Sequence, residues 1–567
     1  MTQRSKHAAN HQPTIGSFLF DYIHKQGVEH AFALPGDFTL PTFVWLDRSP
    51  IASITMTHEP SVGFAADGYA RVHGLGLAVV TYCVGGLNML NSIAGAYAEK
   101  SPVIVVSGGP GTTDRQADPL LHHKVKTFDT QRRVFQEVTC ANTVLLDPQT
   151  APAEIVRVVD SVIEQRRPGY IEVPYDMPDV PIVPYLAPSR VPTPSDPDAL
   201  RACIDECSSM INQAKRPVIL AGVELHRHGL TDLALALADK HNIPIAATLL
   251  SKSVIRETHP LYIGVYSAAL SEPACRKYVD NSDCVIMLGT FITDMFLGIN
   301  TAKLERKTTI LATTEKTQVR FHRYDNIRFG EFLESLGKAK IKKRAAFDNP
   351  NPAVEPVPLA KNERHDPLTI AEMFRILGLY LDDDSAVVAD TGDAVFGAIS
   401  LRTAKRQEFI APAYYCTMGF AVPASIGVAV ADPSKHVYVI VGDGAFQMTG
   451  MELSTAATHN LPLTVIILNN DGYGTQRRIL DGPFNEIRRW NYTQVCSVLD
   501  AGQADVVETK GQFDGAIRKA NSHDGLSVIE VRVDRDDASE SLTNLTREMA
   551  KLRDPVRKKK TKASAAK

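Results

Sequence analysis

No run of about eighteen apolar residues occurs in this 567-residue chain, so no transmembrane helix is expected. Residues 1–13 are polar and lack an apolar core, which does not read as a signal peptide. Cysteine is sparse: eight thiols in so long a chain do not make a disulfide framework. Cys203 and Cys207 stand one helical turn apart with no second Cys/His pair near them, and read as packing residues rather than zinc ligands. Charge of one sign is lacking too. A formal net charge of −3 gives no overall attraction to nucleic acid or to a membrane surface. Also missing are a GxGxxG after a strand and a GxxxxGK[ST], which argues against nucleotide binding. A cytoplasmic, reducing compartment is expected, with no nucleic-acid or membrane partner. What is present is ordinary for a globular chain: 44% apolar and 22% charged residues, at a length that suggests about two to four domains. Basic residues gather at 557–567, within a stretch from 549 that reads as a solvated tail rather than a site for an anionic partner.

The most informative stretch is 437–470, VYVIVGDGAFQMTGMELSTAATHNLPLTVIILNN. The apolar run 437–441 has the length and branching of a buried parallel strand and ends in Gly442-Asp443-Gly444. A helical pattern is predicted over 451–458, then a second apolar run over 463–468 that ends in Asn469-Asn470. A right-handed β-α-β unit brings Asp443 and Asn470 to one rim of a sheet, where open α/β sheets bind ligands. A carboxylate, an amide oxygen and backbone carbonyls are hard donors that suit Mg²⁺, and a helix N-terminus favours a phosphate beside it. Taken alone, GDG is also an ordinary strand-to-helix corner.

Along the chain, strands are predicted at 31–34, 51–57, 77–82, 103–107 and 170–173, alternating with helices at 14–27, 61–72, 87–100 and 152–165. A proline-rich linker spans 176–197, and a second α/β block has strands at 218–221, 245–247, 284–288 and 309–312. Beyond a second linker at 348–366, a third block opens with a helix at 368–381 and a strand at 386–389. The expected fold is α/β: three doubly wound parallel-sheet domains, at 1–185, 186–360 and 361–548, of which the first and third could share a fold.

Glu59 follows an apolar strand and opens a helix rich in Gly and Ala; alone it reads as an N-terminal acid favoured by the helix dipole. With LPGDF at 34–38, HEPSVGFAADGYAR at 58–71, His122-His123 and GDG…NNDGY, however, the chain resembles the thiamine-diphosphate 2-oxo acid decarboxylases. That family includes decarboxylases of pyruvate, indolepyruvate, phenylpyruvate and branched-chain 2-oxo acids. The likeness covers about residues 14–545. It implies pyrimidine-binding, middle and diphosphate-binding domains, in that order, with thiamine diphosphate and Mg²⁺ as cofactors. It implies that Glu59 bonds the pyrimidine N1′, that Asp37, His122 and His123 relay protons, and that Asp443, Asn470 and the Gly472 carbonyl bind the metal. Met418 would wedge the cofactor into a bent shape, the Cys416 carbonyl would meet its amino group, and Thr391 would lie near the thiazolium. Gly442, Gly444, Ala445 and Tyr473 complete the expected cofactor contacts.

The family often carries a glutamate shortly after NNDGY, where this chain has Gln476, which neither ionises nor donates a carboxylic proton. This departure, with runs such as TYCVGGLNMLNS and HHKVKTFDTQRR, turns the reading toward aromatic or bulky aliphatic 2-oxo acids, of the phenylpyruvate/indolepyruvate type. Phe396, Met418 and Tyr473 are candidates for the substrate pocket with Gln476, and Asp294 for an approach from the middle domain. The alternatives are a pyruvate decarboxylase, a carboligase of the acetolactate-synthase kind, which is not expected to carry the paired histidines, and a non-catalytic subunit, which would be expected to lose Glu59 or Asp443. Glu59 and Asp443 fall in different domains yet must grip one cofactor. The resemblance therefore implies a homodimer at least, or a homotetramer, acting on a small-molecule 2-oxo acid.

Overall fold

A computed structural model of the chain describes residues 12–354, 356–403 and 409–553. Three sheets organise them. The first has the order Ala52–Thr55, His30–Ala33, Gly76–Val80, Val103–Gly109, Gly169–Pro174, Ala141–Val144. Every pairing in it is parallel. The third has the order Phe409–Ile410, Ser385–Ala389, His436–Gly442, Leu463–Asn469, Ser527–Arg532, Gln503–Val507, again all parallel. Counted from the first strand of each, both sheets run 2-1-3-4-6-5, so the first and third blocks share a topology.

The middle sheet departs from the all-parallel expectation. Five of its strands are parallel, but Thr317–Val319 pairs antiparallel with Thr309–Ala312 and with His322–Tyr324. The reason is local. Thr313 Oγ1 accepts the N–H groups of Glu315 (3.3 Å) and Lys316 (3.1 Å), closing a turn too short for a helical crossover.

The strands read most clearly from sequence are those buried on both faces. Leu463–Asn469 is buried along its whole length, and His436–Gly442 along all but its ends. Ile440 and Ile466 are fully buried, each contributing about 1.5–3 kcal/mol by removing its side chain from water. Cys203 and Cys207 are likewise fully buried, in the core of the middle sheet, as packing residues.

The chain divides into two compact units between residues 191 and 192: the first sheet lies in one, the middle and third sheets in the other. Within the second unit, the buried ion pair of Lys252 and Glu257 (2.7 Å) ties the middle block to the third, since Glu257 also accepts the Thr403 N–H (3.0 Å). The tail expected from 549 is corrected in part. The helix Glu540–Arg553 runs through it, with Leu542 and Leu545 in the core; the remaining 554–567 lie outside the described residues. Among the described residues no helix is long and apolar enough to cross a membrane.

Candidate active site

In the second unit the site forms where the third sheet's order reverses, between the ends of Ser385–Ala389 and His436–Gly442. The strand His436–Gly442 passes directly into the helix Asp443–Thr449, with Gly442 at its N-cap. The helix predicted over 451–458 is Leu453–Thr458, and Asp443–Thr449 is a separate short helix ahead of it, whose first turn belongs to the GDG motif itself. The adjacent strand Leu463–Asn469 delivers Asn470 and the turn after it. The Asp443 carboxylate accepts the N–H groups of Gly444 (2.7 Å) and Gly472 (2.9 Å), so the two motifs meet. Burial pushes this carboxyl up to about 6, against the pull of those two donors.

The turn itself is tightly built. Gly472 has φ +137°, and a Cβ there would fall 2.2 Å from the Asn485 carbonyl oxygen. A Cβ on Gly444 would fall 2.6 Å from the Tyr473 ring, so neither position accepts a side chain without rearrangement. The buried Arg477 guanidinium donates to the carbonyls of Asn470 (2.8 Å) and Asp471, fixing the path of the turn. A dry carboxylate, an amide oxygen and a carbonyl on a fixed turn are the donor set of a hard divalent cation, so these residues fit Mg²⁺.

A cavity of about 280 Å³ opens beside this rim. It gathers Thr391, Phe396, Cys416, Met418, Gly442, Asp443, Gly444, Ala445, Asn470, Gly472, Tyr473 and Gln476, all expected from sequence. Asp294 is not among the lining residues. It is exposed, and its carboxylate accepts the Met295 N–H (2.9 Å), while Met295 and Ile299 reach the cavity instead.

Sequence reasoning missed several participants. Asp390 is fully buried and accepts N–H groups from Thr391 (2.9 Å), Gly419 (3.2 Å) and Ala421 (2.8 Å), holding the segment that carries Met418. Burial raises it to about 6 against these donors. Asp393 accepts the N–H (2.8 Å) and hydroxyl of Ser539, fastening the start of the helix Glu540–Arg553, whose Leu542, Leu545, Thr546 and Met549 line the cavity. Both acids stand in the ADTGDAVFG run, and an acid just beyond an apolar strand was the available signal. The C-terminal helix gave none, because its pattern is that of any amphipathic helix.

In the first unit, Glu59 opens the helix Glu59–His73. A Cβ on Gly63 would fall 1.9 Å from Ser92 Oγ, so the small residue is what admits the neighbouring helix Val84–Ala98. That helix supplies Asn88, whose amide donates to Glu59 Oε2 (2.8 Å) and lies 3.1 Å from His58 Nε2. In the same motif, Asp67 and Arg71 form a buried cluster with Glu99 (2.8 Å each), a structural use of charged residues.

Asp37, His122 and His123 come together, with one ligand-type atom from each lying within 4.8 Å of the others. The His122 imidazole hydrogen-bonds Asp37 and stacks on Phe38 with ring centroids 4.8 Å apart. Burial alone would raise the Asp37 carboxyl, but the His122 hydrogen bond, the Phe38 N–H and the two imidazoles outweigh it and hold the carboxyl below its ordinary range. His123 sits at φ +65° with its Nδ1 buried and without a hydrogen-bond partner, an orphan polar atom that a bound group would satisfy.

Three domains of the thiamine pyrophosphate enzymes match this chain: the N-terminal TPP binding domain over 13–137, the central domain over 204–326 and the C-terminal TPP binding domain over 382–531. The indole-3-pyruvate decarboxylase of Azospirillum brasilense is 33% identical over 95% of this chain and 98% of its own length. The chain belongs to the thiamine-diphosphate-dependent 2-oxo acid decarboxylase family. Pyruvate decarboxylase 3 of Arabidopsis thaliana is similar to this decarboxylase-family chain at 32% identity over 93% of it and 92% of its own length. Among solved structures, a benzoylformate decarboxylase from Polynucleobacter necessarius superposes with a TM-score of 0.78 at 19% identity, covering 93% of this chain and 99% of its own, a likeness of fold. For this family member, the rim and cavity of the second unit fall in the matched C-terminal domain, and Glu59, Asp37, His122 and His123 in the matched N-terminal one.

Proposed function

We propose that the protein decarboxylates an aromatic or bulky 2-oxo acid to the aldehyde and CO₂ without oxidation, using thiamine diphosphate and Mg²⁺. The observation that carries this reading is the composition of the 280 Å³ cavity. One side is the polar rim of Asp443, Asn470 and Gly472; the rest includes Met295, Ile299, Phe396, Leu542, Leu545 and Met549. The polar side fits a diphosphate and its cation, and the apolar side fits a large substrate side chain. Gln476 at the lining, where the family often carries a glutamate, supports the same choice.

Thiamine diphosphate supplies the electron sink for loss of CO₂. In this reading the protein does the rest. Asp443, Asn470 and the Gly472 carbonyl hold the metal. Met418 shapes the cavity floor, on a segment held by Asp390. Glu59, oriented by Asn88, would hold or give up a proton at the pyrimidine N1′. His122 and His123, held electrostatically by Asp37, would hold and supply the proton taken up by the carbon that has lost CO₂; histidine suits such a role because an imidazole ordinarily titrates near working pH. The apolar lining keeps the carboxylate poorly solvated, which favours its loss.

The reading also includes the domain bounds 1–185, 186–360 and 361–548 and a homodimeric or homotetrameric assembly. A reducing, cytoplasmic setting is supported by eight free cysteines. The deciding experiment compares kcat/KM for phenylpyruvate, indolepyruvate, 4-methyl-2-oxopentanoate and pyruvate, with both cofactors present. The bulky acids are expected to lead. Pyruvate ahead of all three returns the protein to plain pyruvate decarboxylation, and acetolactate without acetaldehyde makes it a carboligase.

A further inference from the structure

The helix Glu540–Arg553 borders two cavities. Leu542, Leu545, Thr546 and Met549, at spacings of three, four and seven, line the candidate active site. Asn544, Arg547 and Glu548, at spacings of three and four, line a second cavity of about 340 Å³. Such spacings put each set on its own face of one helix. The far wall of the second cavity comes from the helix Pro273–Asp280 and from Lys303.

Its charges are unbalanced. Arg276, Lys277, Lys303 and Arg547 line it, against Asp280 and Glu548. Both carboxylates are already engaged: Asp280 accepts the Tyr266 hydroxyl (2.7 Å) and lies 3.4 Å from Arg276 Nε, and Glu548 accepts Lys551 Nζ (2.8 Å). Among the described residues Lys277 and Lys303 form no ion pair, while Arg547 donates to the amide oxygen of its neighbour Asn544 and its charge also acts on Glu548. Lys277 and Lys303 thus line one concavity without an ion-pair partner among the described residues, and the lining as a whole carries four cations against two carboxylates, an excess that raises the local concentration of anions. The Asn281 and Asn544 amides add polar groups to the same wall.

We propose that this cavity binds a compact dianion, a phosphate ester or a dicarboxylate of small-metabolite size. By drawing Arg547 toward Lys277 and Lys303, the dianion fixes the helix whose other face lines the candidate active site. The site is separate from the cofactor rim and uses no residue of it, so it stands or falls independently of the decarboxylase reading.

The test is calorimetric titration of the cofactor-loaded protein, at fixed free Mg²⁺, with glycerol 3-phosphate in one arm and succinate in the other. It is run on the native chain and on K277Q/K303Q, two substitutions at exposed positions. Expected are millimolar or tighter binding of at least one probe, at least about tenfold weaker binding in the double variant, and slower amide hydrogen exchange over 540–553 when the probe is bound. The arm that binds more tightly assigns the ligand to phosphate or carboxylate chemistry. Absence of binding in both arms, or equal binding by the variant, overturns the site. Binding that leaves exchange over 540–553 unchanged overturns the coupling to the helix.

Discussion

Glu59 receives its described hydrogen bond from the Asn88 amide, which fixes the direction of its carboxyl group. An acid held ready in this way is worth about 10²–10⁴-fold in turnover when it exchanges a proton with the reacting system. Glu59→Gln keeps the shape and the Asn88 contact, and is expected to lower kcat by that factor while circular dichroism and thermal unfolding stay unchanged; undiminished aldehyde release would remove Glu59 from the chemistry. Asn88→Ala leaves the acid but frees its orientation, and a smaller loss is expected in the same assay. The residues named from sequence were those whose type betrays chemistry: acids just beyond strands, a pair of histidines in a loop, glycines at a tight turn. Asn88, Asp390 and Arg477 escaped because an amide on a helix face, an acid two residues before a glycine and an arginine in a basic run are each common in any globular chain. Only their contacts give them a role.

The turn 470–472 is a rigid element because Arg477, itself buried, donates to the carbonyls of its first two residues. Arg477→Met removes those donors and leaves the three metal-ligand candidates in place. The expectation is a Mg²⁺ activation constant raised about 10–100-fold, the usual weight of a residue that orients a metal's ligands. An unchanged constant would show that the turn holds its shape unaided. A second element carries a pH signature. In the strand Gly169–Pro174, Glu172 is fully buried, takes the Tyr170 hydroxyl (2.5 Å) and pairs with Arg115. Burial pushes its carboxyl from the ordinary 4.5 up to about 7 despite Arg115 and Tyr170. Between those values the folded chain holds a proton that the unfolded chain has released, so this group stabilises the fold fully below 4.5 and the contribution is lost as pH rises to about 7. Unfolding midpoints across that window are expected to fall more for the native protein than for Glu172→Gln, and the two profiles to run parallel above it; parallel profiles throughout would refute the shift. Strands of this kind were the most legible part of the fold, since one buried on both faces shows a nearly continuous apolar run, broken here only by Glu172. The strands Ala141–Val144, Thr317–Val319 and His322–Tyr324, at or next to a sheet edge, were not legible, being short and partly solvated, and the short helix Asp443–Thr449 was not separated from the one predicted after it because a Gly-rich first turn hides its period.

At the scale of the whole molecule, Glu59 belongs to the first compact unit and Asp443 to the second, while the proposed function asks both to grip one cofactor. The sheets of the first and third blocks share a strand order, and the proposed function, with its homodimer or homotetramer, expects the two halves of the cofactor site to come from different protomers. This makes a prediction that a self-contained protomer cannot meet. Glu59→Gln and Asp443→Ala are each expected to be nearly inactive alone, the first through proton transfer and the second through loss of metal-dependent cofactor retention. In a hybrid dimer that shares its sites across protomers, one site collects both substitutions and the other is free of both. Co-expression of the two variants with different affinity tags, followed by double-tag purification, is therefore expected to recover clear decarboxylase activity. Dilution that dissociates the hybrid should abolish it. A hybrid as inactive as its parents, with cofactor bound and the dimer intact by sedimentation, would mean that each protomer completes its own site and that association serves some other purpose.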